Sequence, residues 1–230
     1  MSVTFSWLGH SAFHMDIDGH QIVIDPFLTG NPLAAAGPSE LNPEIIFLSH
    51  GHGDHTGDTV QIAKRSGAKV VCNFEVGNWL MHQGLQNVHQ GNPGGGYDHG
   101  FVHCKFTVAF HSSSMPDGSY GGVACGFLLT TKAANKRIYF AGDTALFSDM
   151  QLIGERKIDI AFLPIGDNFT MGPADSIQAI KWLRPKYAFP IHYNTFDMIS
   201  QNAGDWANRV SSETDTQPIV LDPGGSYTLE

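Results

Sequence analysis

Residues 49–55 read SHGHGDH, and the rest of the chain is best understood outward from them. His50, His52, Asp54 and His55 fall within six residues, with glycine as the only spacer. Imidazoles crowded this closely are hard to solvate when neutral and repel one another when charged. A bound cation turns the crowding to advantage. Imidazole nitrogen and carboxylate oxygen together suit zinc, manganese or iron rather than calcium or magnesium. Gly51 and Gly53 are expected to let the backbone fold tightly, so that neighbouring side chains face a common centre.

Further along, the same residue types recur at the ends of strand-like runs. His50 follows IIFLS, His111 follows FTVAF, Asp143 follows IYFAG and His192 follows YAFPI. Loops that leave one edge of a sheet can converge on one site. His50, His52, Asp54, His55, His111, Asp143 and His192 together are too many for one conventional site. They would fill two adjacent divalent ions, with one carboxylate shared and a water or hydroxide between them. Zn2+ is the expected metal and Mn2+ the next, while the same ligands also admit iron or nickel. The other histidines (His14, His20, His82, His89, His99 and His103) sit in strands, helices or turns without a partner motif and are expected to be structural.

The apolar pattern begins strand-rich. VTFSWLG, AFHMDI and HQIVIDPF are short β-type runs, with IDGHQ supplying a turn, and EIIFLSH is a continuous apolar run suited to a buried strand. TGDTVQIAKRSG has helical spacing with a glycine stop at Gly67, KVVCN returns to strand, and FEVGNWLMHQG to helix. NPGGGYDHG, residues 92–100, reads as a turn. FVHCKFTVAFH, GVACGFLLTT, RIYFAGD and IDIAFLPI are strands, a helix spans Pro173 to Leu183, and YAFPIHY, GDWANRVSSE, PIVLDPG and SYTLE complete the pattern. Runs of strands give way to strand–helix alternation in both halves of the chain. That suits an α/β fold of two mixed sheets packed together, with helices outside, in one domain over residues 1–230.

Composition narrows the function. The net charge is −9, from 13 basic and 22 acidic residues, which disfavours a general nucleic-acid partner. No apolar run approaches the roughly 18–20 residues of a membrane span. The opening MSVTFSWLGH has neither a basic n-region nor an apolar h-region, so cytoplasmic residence is expected. Cys72, Cys104 and Cys125 are odd in number and far apart, and are expected to be reduced and buried.

HGHGDH matches the HxHxDH signature of the metallo-β-lactamase superfamily. Asp25 in VIDPF resembles that family's first motif, and His111, Asp143 in AGDT and His192 resemble the third, fourth and fifth, in order. WLGHSAF, DPFLTGNP, FHSSS, AGDTALFSDM, LPIGDNFTMGP and PIHYNTF look like a group of small metal-dependent hydrolases within it. That group is similar to the L-ascorbate 6-phosphate lactonase branch and, more distantly, to N-acyl phosphatidylethanolamine phospholipase D. The resemblance implies an αββα sandwich with the metals at one edge of the sheets. It implies that His50, His52 and His111 hold one metal, that Asp54, His55 and His192 hold the other, and that Asp143 bridges. Asp25 is implied to orient a ligand or the hexapeptide loop. Cys104 and Cys125 lie in apolar runs rather than at a ligand position, which argues against β-lactamase activity itself. Members of the lactonase branch associate, so a homo-oligomer is admitted by analogy.

The reading that follows is a metal-dependent hydrolase in which a metal-bridging hydroxide attacks an ester, lactone or phosphoester bond of a small substrate. Asp54 is a candidate proton acceptor. His10, in the GHS that follows the first strand, is a candidate to hydrogen-bond a substrate oxyanion. Asn168 and Thr170 in GDNFTMGP, and Asn194 in YNTF, are substrate-contact candidates. Ser49, Ser112, Ser113 and Ser114 are read as loop hydrogen bonders rather than nucleophiles. The alternatives are a nuclease or phosphodiesterase acting on nucleic acid, an iron-dependent redox enzyme on the same fold, and a non-catalytic metal scaffold.

Overall fold

The computed structural model describes residues 2–229. The first half runs β1 (Val3–Gly9), β2 (Ala12–Ile17), β3 (His20–Ile24), β4 (Ile45–Phe47), α1 (Gly53–Thr56), α2 (Thr59–Ser66), β5 (Lys69–Asn73), α3 (Phe74–His82) and β6 (Val88–Gly91). The second runs β7 (Gly96–Asp98), β8 (Val102–Val108), β9 (Cys125–Thr131), β10 (Arg137–Phe140), α4 (Met150–Gly154), β11 (Ile160–Pro164), α5 (Pro173–Leu183), β12 (Tyr187–Ile191), α6 (Ala203–Glu213), β13 (Gln217–Pro218) and β14 (Ser226–Leu229). Two seven-stranded sheets result, in the orders β14-β1-β2-β3-β4-β5-β6 and β13-β12-β11-β10-β9-β8-β7. Each sheet is antiparallel among the earlier strands of its half and parallel among the later ones, which long loops or helices connect, so both halves follow one plan. This is the expected αββα sandwich.

The continuous apolar runs are explained by burial on both faces. Along β3, β4 and β5, Ile22, Ile24, Ile45, Phe47 and Val71 join the core shared with the second sheet. Val23, Ile46, Val70 and Cys72 alternate with them and pack under α2 and α3. Phe162 is the aromatic centre of the sandwich, with ring centroids 4.6 Å from Phe13, 4.8 Å from Phe189 and 5.4 Å from Phe5. Cys72, Cys104 and Cys125 are free and buried, as their apolar settings imply.

Turn chemistry was equally direct. Asp18 and Gly19 close the β2–β3 hairpin with both φ angles positive, at 52° and 92°, as a type I′ turn requires. Gly67 ends α2 in the left-handed region, at φ 75°. Elsewhere the structure corrects the sequence reading. Gly96–Asp98, inside the expected 92–100 turn, is an edge strand, because pairing with β8 supplies its hydrogen bonds. Of the expected strand PIVLDPG only Pro218 is in a strand, the two-residue β13 with Gln217, since the parallel ladder to β12 ends there. α1, α4 and β6 are short elements that periodicity does not reveal. Among the described residues, no helix is long and apolar enough to cross a membrane.

Phe162→Ala is expected to lower unfolding stability by about 3–5 kcal/mol, through lost burial and the cavity left among its aromatic neighbours. Equilibrium urea unfolding measures it; a loss below about 1 kcal/mol would contradict the packing described.

Candidate metal centre

β1, β3, β4, β8, β10, β11 and β12 all end on one edge of the sandwich, and the loops leaving them carry the candidate residues. Sharp turns aim the side chains inward. His10, Asp25 and His192 hold left-handed φ angles of 56°, 43° and 54°, which non-glycine residues adopt at a cost of about 1–2 kcal/mol each. Such strain persists where the surrounding structure over-determines it.

Asp25 is the clip of the site. Fully buried just past β3, it accepts from Ser49 N at 2.8 Å, from Ser49 Oγ at 2.6 Å and from His55 Nδ1 at 2.8 Å. The Ser49 hydroxyl also lies 3.0 Å from His50 Nδ1. One carboxylate thereby fixes the start of SHGHGDH and the ring of His55, whose Nε2 is left to face the cluster. α1, with His52 as its N-cap, carries Asp54 and His55. The two glycines prove unequal. A Cβ on Gly51 would meet Met115 Sδ at 2.6 Å and the Ser114 carbonyl oxygen at 3.0 Å, so the β8–β9 loop needs a glycine there. Gly53 opens α1, and a Cβ on it would meet nothing within 4 Å, so tightness does not require it.

The seven expected ligands converge. Asp143 Oδ2 lies 3.0 Å from His192 Nε2, 3.3 Å from His55 Nε2 and 3.6 Å from His111 Nε2. His50 Nε2 and His52 Nδ1 approach to 3.0 Å, near the roughly 3.3 Å separation of two nitrogens on one tetrahedral zinc. Asp54 Oδ2 stands 3.8 Å from His192 Nε2 and 3.9 Å from His55 Nε2. Three donor groups could each hold an ion: His50 with His52 and His111; His50 with His55 and Asp143; and Asp54 with His55, His192 and His10. Buried His55 Nε2 and Asp143 Oδ1 have no hydrogen-bond partner, an expensive omission unless a cation completes them. The donor set therefore fits divalent metal.

Burial and neighbouring charge sort the protonation states. Burial lowers the pKa of His50 and His52, and of His111, keeping these rings neutral and ready to ligate. Burial also opposes charge on His192 and His55, but the carboxylates around them together outweigh it, Asp143 and Asp54 at both rings and Asp25 as well at His55. They lift His192 to about 9 and His55 well above the usual imidazole range. Asp143 and Asp54 are held low against their own burial, Asp143 by His192 and His55, and Asp54 by His55, His10 and His192.

His10 joins this cluster. It is fully buried, with Nε2 3.2 Å from Asp54 Oδ2 and Nδ1 2.8 Å from Thr195 Oγ1. Burial lowers its pKa to about 4. Both of its ring nitrogens face protein partners, Asp54 on one side and Thr195 on the other. Thr195 carried no sequence signal. His111 lies three residues past β8, in a loop where Ser113 Oγ receives Gly51 N at 3.0 Å and donates to the Gly121 carbonyl at 2.8 Å. Ser112 Oγ stands 3.4 Å from His52 Nε2. Asn168 is exposed, Thr170 Oγ1 donates to the Met171 carbonyl at 3.2 Å, and Asn194 Oδ1 accepts from Gln201 N at 2.7 Å. His20 pairs with Glu44 instead, and His89 and His99 pack on Tyr97, outside the metal cluster.

Residues 4–192 match the model of a beta-lactamase superfamily domain. The chain belongs to the metallo-β-lactamase superfamily. It is 48% identical to a UPF0173 metal-dependent hydrolase of Bacillus cereus (strain ZK / E33L), across 97% of this chain and 99% of that one. It falls within this family of metal-dependent hydrolases. Igni18, a metallo hydrolase from the archaeon Ignicoccus hospitalis, superposes with a TM-score of 0.91 at 34% identity, over 100% of this chain and 99% of that one. A diiron β-hydroxylase from Streptomyces venezuelae shares the fold, with a TM-score of 0.74 at 12% identity, over 99% of this chain and 54% of that one.

Two outcomes are expected. Asp25→Asn cannot accept from Ser49 and His55 together as the carboxylate does, and is expected to weaken metal binding about 10- to 100-fold, read by competition with a chromogenic chelator. Metal uptake at pH 7 is expected to release protons, because the pKa values of His192 and His55 are raised without metal and either ring would lose Nε2–H on ligating one. Their charged form stabilises the metal-free fold fully below about pH 6.5, and the His192 share is lost as pH rises through about 9. Calorimetry in buffers of different ionisation enthalpy should show less proton release at pH 10 than at pH 7, and tighter apparent metal binding as pH rises.

Proposed function

We propose that the chain is a two-metal hydrolase of a small ester, lactone or phosphoester. The observation that supports this best is the position of Asp143: one carboxylate oxygen lies within 3.6 Å of three imidazole nitrogens that belong to two different donor groups. On this reading His50, His52 and His111 would hold one ion, Asp54, His55 and His192 the other, and Asp143 would stand between. Two divalent cations there would supply a water acidified to near neutrality and a Lewis acid for the bond under attack.

The protein's own groups would divide the remaining work. Asp25 fixes the direction of His55, and Ser49 passes that constraint to His50. Asp54 is the cluster carboxylate most open to solvent, at 29% side-chain exposure, so it is the group able to take a proton and pass it out. His10 holds Asp54 Oδ2 in place from the buried side and is in turn held by Thr195. His10 is thus a positioning residue.

Elemental analysis of protein purified without a histidine tag is expected to give two zinc or manganese ions per chain, with hydrolysis abolished by a chelator and restored by metal. One iron per chain would overturn the proposal in favour of redox chemistry. His10→Gln is expected to keep both metals, lower kcat by about 100-fold and shift its pH profile. Loss of metal in that variant would make His10 a support of the site rather than of the Asp54 proton.

A further inference from the structure

The loops around the centre contain no lysine and no arginine. This holds for residues 8–11, 25–31, 48–58, 109–124, 141–150, 165–172 and 192–202, although the chain carries 13 basic residues. The cations lie elsewhere. Arg137, Lys157, Arg184 and Lys186 gather at the opposite end of β10, β11 and β12, around a cleft of about 550 Å³. The metal face instead carries Asp117, Asp149, Asp167 and Asp197 in those same loops. A phosphodiester or phosphorylated substrate would meet no guanidinium or ammonium clamp there beyond the metals themselves, and carboxylates around the rim.

What the loops offer is apolar. Phe110, beside His111, is 61% exposed, and Phe196 and Met198, in the loop after His192, are 40% and 66% exposed. Phe169, in the loop after β11, is 49% exposed. Phe196 and Phe110 reach the donor cluster directly. The Phe196 ring stands 5.8 Å from His10 and 6.4 Å from Phe27, which follows Asp25. Phe110 N donates to Thr144 Oγ1 at 3.0 Å, one residue from Asp143, and its ring rests 5.4 Å from Phe147. Large apolar side chains kept in water on the ligand loops themselves mark a surface that a ligand covers.

Taking the two-metal hydrolase reading as its basis, we propose that the substrate is an uncharged carboxylic ester or lactone bearing an apolar acyl or aryl group, which packs against Phe110, Phe196 and Met198. In the reaction a water oxygen bonds to the acyl carbon and the acyl C–O bond breaks. One water proton ends on the released alcohol oxygen, and the other is lost as the acid ionises.

The test uses metal-loaded protein and two kinds of substrate: neutral p-nitrophenyl esters from acetate to octanoate, and the anionic diester bis(p-nitrophenyl) phosphate. The expected result is that kcat/KM rises roughly two- to fourfold per methylene over the first few carbons and exceeds that of the diester. Phe110→Ala and Met198→Ala should each lower the octanoate-to-acetate ratio by about 10-fold with metal content intact. Met198→Lys should raise the diester-to-octanoate ratio. Chelator-sensitive turnover that favours the diester, or ester turnover flat in chain length, would overturn this inference and leave the two-metal hydrolase standing. No turnover of any of these with both metals bound would overturn both. A doubled mass in light scattering that falls to the monomer in Met198→Lys would assign the apolar rim to a second copy and also overturn the inference.

Discussion

The buried carboxylate of Asp25 is the constraint on which the metal edge depends. A charge removed from water must be met by donors, and here they come from two places in one turn of chain: the amide and hydroxyl of Ser49, and the imidazole of His55. Meeting that need draws the loop after β4 back over the end of β3. It leaves one face of His55 committed inward and the other free. The left-handed backbone at Asp25 is the local cost of putting the carboxylate there. Because His50 is tied to the same serine, the geometry of half the donor set descends from a residue that need touch no metal.

Electrostatics then divides the site. His50, His52 and His111 are neutral for want of solvent, whereas His55 and His192 are drawn to positive charge by the carboxylates around them. Without metal the protein already neutralises its buried carboxylates with protons on imidazole. The site is thus prepared for cations, with protons standing where metal charge would act. The same economy of charge extends across the molecule, since one end of the second sheet gathers basic side chains and the metal edge has none.

Much of this was legible in the sequence because each signal was local. The DG pair closing the first hairpin, the Pro173 start of α5 and the glycine stop of α2 act over a few residues and fold as they read. The apolar runs IIF and IAFLP named their strands, since burial on both faces leaves no polar alternation. The ligands stood out because histidine and aspartate at strand ends have few other uses. What stayed hidden depends on distant partners. Gly96–Asp98 is a strand only because β8 lies beside it. Thr195 matters only because His10, 185 residues earlier, points at it. The burial of His10 and its contact with Asp54 were equally out of view, and Gly51 and Gly53 look alike in sequence yet differ in what surrounds them.

The pairing of β14 with β1, Val3 opposite Leu229, has a consequence for biosynthesis. β1 precedes every other strand in chain order, and one of its edges waits for β14, which follows them all. Until β14 emerges that edge offers unpaired amides and carbonyls, the template on which chains aggregate. His192 and Thr195 also emerge late, so the nascent first half exposes its strained histidine loop before its partners exist. Folding of the amino-terminal sheet is therefore completed by residues that belong in sequence to the other half. The chain's two similar halves cannot mature one after the other as independent units.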